Sequence, residues 1–109
     1  MKVKELGEKL GLSLISGENN LEREVKNCFI GDLLSHVMSH AQSGDVWITV
    51  QGNINVIAVA SLTDCAMVII CEGMALDEAA KKKAELEEIP VFTSDKSAYN
   101  LACGIKELI

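Results

Sequence analysis

The chain has 109 residues, 49% of them hydrophobic and 24% charged, with a formal net charge of −6. That length allows one domain with a sizeable core and excludes two. The composition excludes disorder, and the acidic surplus excludes the clustered Lys and Arg of a nucleic-acid surface.

No apolar run approaches the roughly 18 residues of a membrane span. The opening MKVKELGEKLG is charged, with no apolar signal-peptide core. A cytoplasmic protein without membrane contact is expected. Cys28, Cys65, Cys71 and Cys103 are widely spaced, show no CxxC, and read as free thiols in a reducing compartment.

Val3, Leu6 and Leu10 share one face of a first short helix that Gly11 would stop. Leu12 to Ile15 is a brief apolar stretch, followed by the turn cluster Ser16-Gly17-Glu18-Asn19-Asn20. Val25 to Ile30 reads as a strand that Gly31-Asp32 ends. In the next helix Leu33, Leu34, Val37, Met38 and Ala41 form a core-facing stripe, and Asp32 is the expected N-cap.

Gly44 to Leu62, GDVWITVQGNINVIAVASL, is the most distinctive stretch. Val46 to Val50 suits a packed strand, with Trp47 as a core aromatic. Gln51-Gly52-Asn53 supplies a turn. From Ile54 to Leu62 only Asn55 and Ser61 are polar, so this helix has no broad solvent face. Such a helix must be covered on both sides, by its own domain or by a second subunit. The second is expected here, with Ile54, Val56, Ile57 and Val59 at a homodimer seam.

Ala66 to Cys71 is a continuous apolar run, the pattern of a parallel strand buried on both faces. Asp77 should cap a charged outer helix to Glu88, with Ala80 and Ala84 facing inward; its Lys81–Lys83 run reads as a solvated face. Ile89 to Phe92 is a short strand. Thr93-Ser94-Asp95 is expected to cap a last helix striped by Ala98, Leu101, Ala102, Ile105 and Leu108. From residue 25 onward, strand and helix alternate, which indicates an α/β layer fold with a mostly parallel sheet flanked by helices.

The chain has no GxxxxGK[ST], GxGxxG or GxSxG, which argues against nucleotide hydrolysis and against an α/β-hydrolase. Open α/β sheets bind ligands at the carboxyl ends of their strands. Gly31, Asp32, Gln51, Asn53, Asn55 and Ser94 are the ligand-binding residues expected there. Asp32, His36 and His40 stand four apart on one helical face. They offer the alternative of a small metal-dependent hydrolase. Nucleotide binding without turnover is a further alternative.

Three segments together resemble the DRTGG domain, a module found in the N-terminal part of HPr kinase/phosphorylase. They are Leu21–Val25 with Ile30–Met38, Gly44–Gln51 with Asn55–Ala60, and Ile89–Phe92 with its helix. Where the name-giving stretch of that family reads Asp-Arg and then paired glycines, this chain has Glu22-Arg23 and then Asn27-Cys28. The resemblance implies one DRTGG-like domain over residues 1–109, folded like the N-terminal domain of HPr kinase. It also implies a non-catalytic regulatory or assembly role, without a cofactor. The partners expected are a second copy of the chain and a protein or small-molecule effector.

Overall fold

Met67, Val68, Ile69 and Ile70 all lie buried in the strand that forms the middle of the sheet, and none has a solvent face. The computed structural model describes all of residues 1–109. In chain order the elements are α1 (Val3–Lys9), β1 (Ser13–Ser16), β2 (Asn27–Ile30), α2 (Leu34–His40), β3 (Asp45–Thr49), α3 (Ile54–Thr63), β4 (Met67–Ile70), α4 (Glu78–Leu86), β5 (Val91–Thr93) and α5 (Ala98–Leu108). A single 3-10 turn, Glu18–Asn20, follows β1.

The five strands lie in the order β1-β5-β4-β3-β2. Strands β2 to β5 are parallel, with Trp47 opposite both Phe29 and Val68 and with Ile69 opposite Phe92; β1 joins β5 antiparallel. The expected mostly parallel sheet is therefore present, with one antiparallel edge formed by the Leu12–Ile15 stretch.

Side chains alternate across the sheet, as the pleat requires. Val46, Ile48, Met67, Ile69 and Phe92 enter a core closed by α1 and α5 through Val3, Leu6, Leu101 and Ile105. Trp47, Val68, Ile70 and Val91 enter a second core closed by α2, α3 and α4 through Val37, Ile57, Ala60, Ala80 and Ala84. Helices α2, α3 and α4 thus cover one face, and α1 and α5 cover the other.

This arrangement corrects the expectation for α3. Val56 and Ile57 are fully buried and Val59 is 8% exposed within the chain itself. Helix α3 lies between α2 and α4 over the sheet, so its flanks are covered by its own domain. Of the four seam residues expected, only Ile54, at 44%, remains exposed.

The helix ends differ from expectation as well. Leu33, not Asp32, is the N-cap of α2, and no side chain caps that helix. Leu33 and Met38 are exposed instead of facing the core, because α2 is short and rests on the sheet chiefly through Val37. The last helix starts at Ala98, where the Ser97 side chain accepts a hydrogen bond from the Asn100 N–H. Thr93 instead belongs to β5.

The β3–α3 and β4–α4 loops touch through Gly52. A methyl group there would stand 2.0 Å from the Ala75 carbonyl oxygen, while the Gly52 carbonyl accepts from the Asp77 N–H at 2.7 Å. Gly52→Ala should therefore destabilise the domain by about 2–3 kcal/mol, read as a lower urea midpoint with an unchanged slope. Ile57→Ala should cost about 2–5 kcal/mol. If Ile57→Ala instead lowered the mass in solution and left stability unchanged, self-coverage of α3 would be refuted.

Candidate functional site

Four of the six residues expected to bind ligand converge at the carboxyl ends of β2 and β3. The Asp32 carboxylate accepts from the Thr49 hydroxyl at 2.7 Å and from the Val50 N–H at 3.0 Å. Gln51 Nε2 donates to the Asp32 carbonyl at 2.6 Å, and Asn53 Nδ2 donates to Gln51 Oε1 at 3.4 Å. Asn53 Oδ1 caps α3 by accepting from the Val56 N–H. The indole Nε1 of Trp47 donates to the Gly31 carbonyl at 2.9 Å. These groups tie the loops to one another, so their hydrogen-bonding capacity is largely consumed within the chain. Asn55 is exposed on the first turn of α3. Ser94 lies two strands further along, where its hydroxyl accepts from the Lys96 N–H at 3.1 Å.

Asp32, His36 and His40 are not gathered into a metal site. The carboxylate of Asp32 is turned onto β3, and His40 Nδ1 lies 3.0 Å from the His36 carbonyl oxygen. The two imidazoles stack with centroids 4.1 Å apart. No group of three His, Cys, Asp or Glu side chains anywhere in the fold could hold a metal ion.

An open cleft of about 570 Å³ lies at the other half of the same sheet edge. It is bounded by the β4–α4 loop, with Gly73 and Met74, by the β5–α5 loop, with Ser94, Asp95 and Lys96, and by Ser13 and Ile15 of the edge strand β1; Lys81 of α4 lines it as well. Its position follows from the topology. Helices α2, α3 and α4 pack on one face, whereas α5 crosses to the other, so the loops after β4 and β5 diverge. Adjacent parallel strands whose connections leave to opposite faces open a crevice at their carboxyl ends. The sequence marks Thr93-Ser94-Asp95 as the polar break before the last helix. Lys81 reads in the sequence as part of a solvated face and Lys96 carries no local signal, because nothing local reveals that α5 changes face.

None of the four cysteines is disulfide-bonded. Burial, with a smaller contribution from Asp45, pushes the Cys28 thiol up to about 11. Burial also raises Cys65 and Cys71. These three stay protonated at neutral pH and are poor nucleophiles.

The family's name-giving stretch lies at the opposite, amino-terminal edge of the sheet. Arg23 Nη1 and Nη2 each approach a carboxylate oxygen of Asp64 at 2.9 Å, and Nη2 also donates to the Asp64 carbonyl at 2.8 Å. Asp64 is the left-handed C-cap of α3 (φ 58°), so the guanidinium closes that helix and ties the chain before β2 to the start of β4. Asn27 and Cys28 start β2, where Asn27 Oδ1 accepts from the Cys28 N–H at 2.9 Å. Both positions lie far from the cleft along the strand direction.

Taken together, these features define a small one-domain α/β module with a crevice at the carboxyl edge of its sheet and no assembled catalytic group. The chain belongs to the DRTGG domain family, whose model matches residues 5–108. No curated protein matches the chain. A similar solved structure is that of the CBS and DRTGG domains of the regulatory region of Clostridium perfringens pyrophosphatase, complexed with its activator diadenosine tetraphosphate. It matches with a TM-score of 0.77 at 13% identity, over 95% of this chain and 45% of that one. The present chain thus spans less than half of that chain. No helix is long and apolar enough to cross a membrane.

The Asp64 carboxyl is held below its ordinary value of 3.8, first by the Arg23 hydrogen bonds and then by Ser43. A depressed folded-state value stabilises the fold above the unfolded value, and that contribution fades as pH falls through the folded one. The pair is solvent-exposed, so Arg23→Ala should cost about 1 kcal/mol at neutral pH. The gap between wild type and variant should narrow as pH falls below the ordinary carboxyl value of 3.8. Urea denaturation at a series of pH values checks this, and a gap independent of pH would contradict it.

Proposed function

We propose that this domain is a non-catalytic regulatory module of the cytoplasm that senses a nucleotide effector and self-associates. The observation that carries the reading is membership of the DRTGG family over nearly the whole chain. The regulatory region of the pyrophosphatase, which shares this fold, was solved with a nucleotide activator, and that supports the choice of effector class. The absence of catalysis is supported by the engaged polar groups at β2 and β3 and by the raised thiols. Free cysteines suit a reducing compartment.

Self-association uses what the fold leaves uncovered. Leu33 before α2, Ile54 and Leu62 of α3 and Leu86 of α4 are large exposed apolar side chains of these elements, and the association is assigned to Leu33 and Ile54 at the helix starts. Apolar side chains of this kind contribute about 25 cal/mol per Å² buried, against the cost of association.

Light scattering at micromolar concentration should give twice the 11.8 kDa protomer mass, and Ile54→Asp with Leu33→Asp should give a folded monomer. A monomeric wild type would remove the assembly half. In thermal-shift measurements with adenine and guanine nucleotides, a hundredfold excess over Kd should stabilise the fold by about 2.7 kcal/mol. A melting temperature unmoved by every nucleotide would remove the sensing half.

A further inference from the structure

We propose that the cleft between the β4–α4 and β5–α5 loops is the effector site, and that Lys81 and Lys96 take the phosphate of a mononucleotide-sized ligand there. The assignment rests on the nucleotide-sensing reading and adds a place and a chemistry to it.

The two halves of the sheet's carboxyl edge differ in what they leave free. Over β2 and β3 one oxygen of the Asp32 carboxylate holds the Thr49 hydroxyl and the Val50 N–H, Gln51 is tied to the Asp32 carbonyl and to Asn53, and Asn53 caps α3. Gly52 packs there against the Ala75 carbonyl with no space for even a methyl group. No ligand-sized opening remains in that half. Between β4 and β5 the two loops are joined by the Glu72 N–H to the Lys96 carbonyl and the Gly73 N–H to the Ser94 carbonyl, both at 2.9 Å. Beside them, between these loops, α4 and β1, the cleft leaves about 570 Å³, within the roughly 300–1,000 Å³ of ordinary small-molecule sites.

The walls carry a specific set of groups. Neither Lys81 nor Lys96 is in an ion pair. Lys96 Nζ spends one donor on the Leu10 carbonyl at 3.2 Å, and an ammonium has three. Two ammonium groups outside any ion pair therefore stand on a cleft whose formal charge is balanced, in a chain of net charge −6. Each suits a compact anion bound as a point charge. Asp95 and Glu78 line the same cleft; as acceptor-only groups they repel a second phosphate and suit sugar hydroxyls. Met74, half-exposed, and Ile15 supply an apolar wall, and a polarisable thioether packs well against a flat ring. One phosphate, hydroxyls and a ring together describe a nucleoside monophosphate better than a polyphosphate or a free anion.

The test is a ¹⁵N–¹H correlation titration of the whole chain with AMP, GMP, ATP and inorganic phosphate. AMP or GMP should shift the amides of Gly73, Lys81, Asp95 and Lys96 while leaving those of Asp32 and Gln51 in place. Lys81→Ala and Lys96→Ala, whose unperturbed core resonances would show intact folding, should each weaken binding about tenfold. Shifts confined to the Asp32–Gln51 end, or Lys variants that bind as tightly as wild type, would overturn the cleft and leave nucleotide sensing standing. Inorganic phosphate binding as tightly as AMP would overturn the mononucleotide class. No response to any nucleotide would overturn both this assignment and the sensing reading beneath it.

Discussion

The two-sided burial of β3 and β4 is the constraint on which the rest of the molecule depends. A strand whose successive residues enter opposite cores permits no wet face, so helices must close both sides. The crossovers α2, α3 and α4 all lie on one face, and the chain must supply cover for the other from its two ends, as α1 and α5. Because α5 follows β5 directly, that obligation sends the loop after β5 away from the loop after β4. The cleft is therefore a by-product of closing the second core.

The alternation of strand and helix was legible in the sequence because periodicity reports burial. Met67–Ile70 reads as two-sided, Val3-Leu6-Leu10 as one face of a helix, and Trp47 as a core residue, and each is found so. What covers an apolar helix was not legible. The run from Ile54 to Leu62 looks the same whether its flanks meet α2 and α4 or a twin subunit, since neighbours in space leave no local mark. The same limit applies to Asp32, whose composition suits an N-cap but whose carboxylate finds Thr49, a residue 17 positions away that the sheet brings alongside. At the candidate site, the loops were visible as turn residues. The pairing of Lys81 with Lys96 depended on strand order and on which face α5 takes.

The two edges of the sheet are built for different ends. At the amino-terminal edge Arg23 binds the carboxylate and carbonyl of Asp64, joining three segments at the corner where α3 gives way to β4. That clasp fixes the strand starts, so the loops at the opposite edge project from a rigid base. The loops after β2 and β3 are locked by side-chain hydrogen bonds, and those after β4 and β5 are joined by two backbone bonds beside an open cleft. A module with one fixed edge and one partly open edge can pass a change at the cleft to α4 and α5, which lie on opposite faces of the sheet.

Trp47 gives the molecule an optical asymmetry. It is the only tryptophan, fully buried, with its indole N–H bonded to the Gly31 carbonyl. Its emission therefore belongs to the three-helix core and to the locked half of the sheet edge. Loosening of α2 or of the Gly31 turn exposes that indole to water and shifts its emission to the red. The cleft, by contrast, has no aromatic residue in its walls. The fold thus makes loss of packing in the three-helix core visible in tryptophan light, from a residue outside the cleft walls.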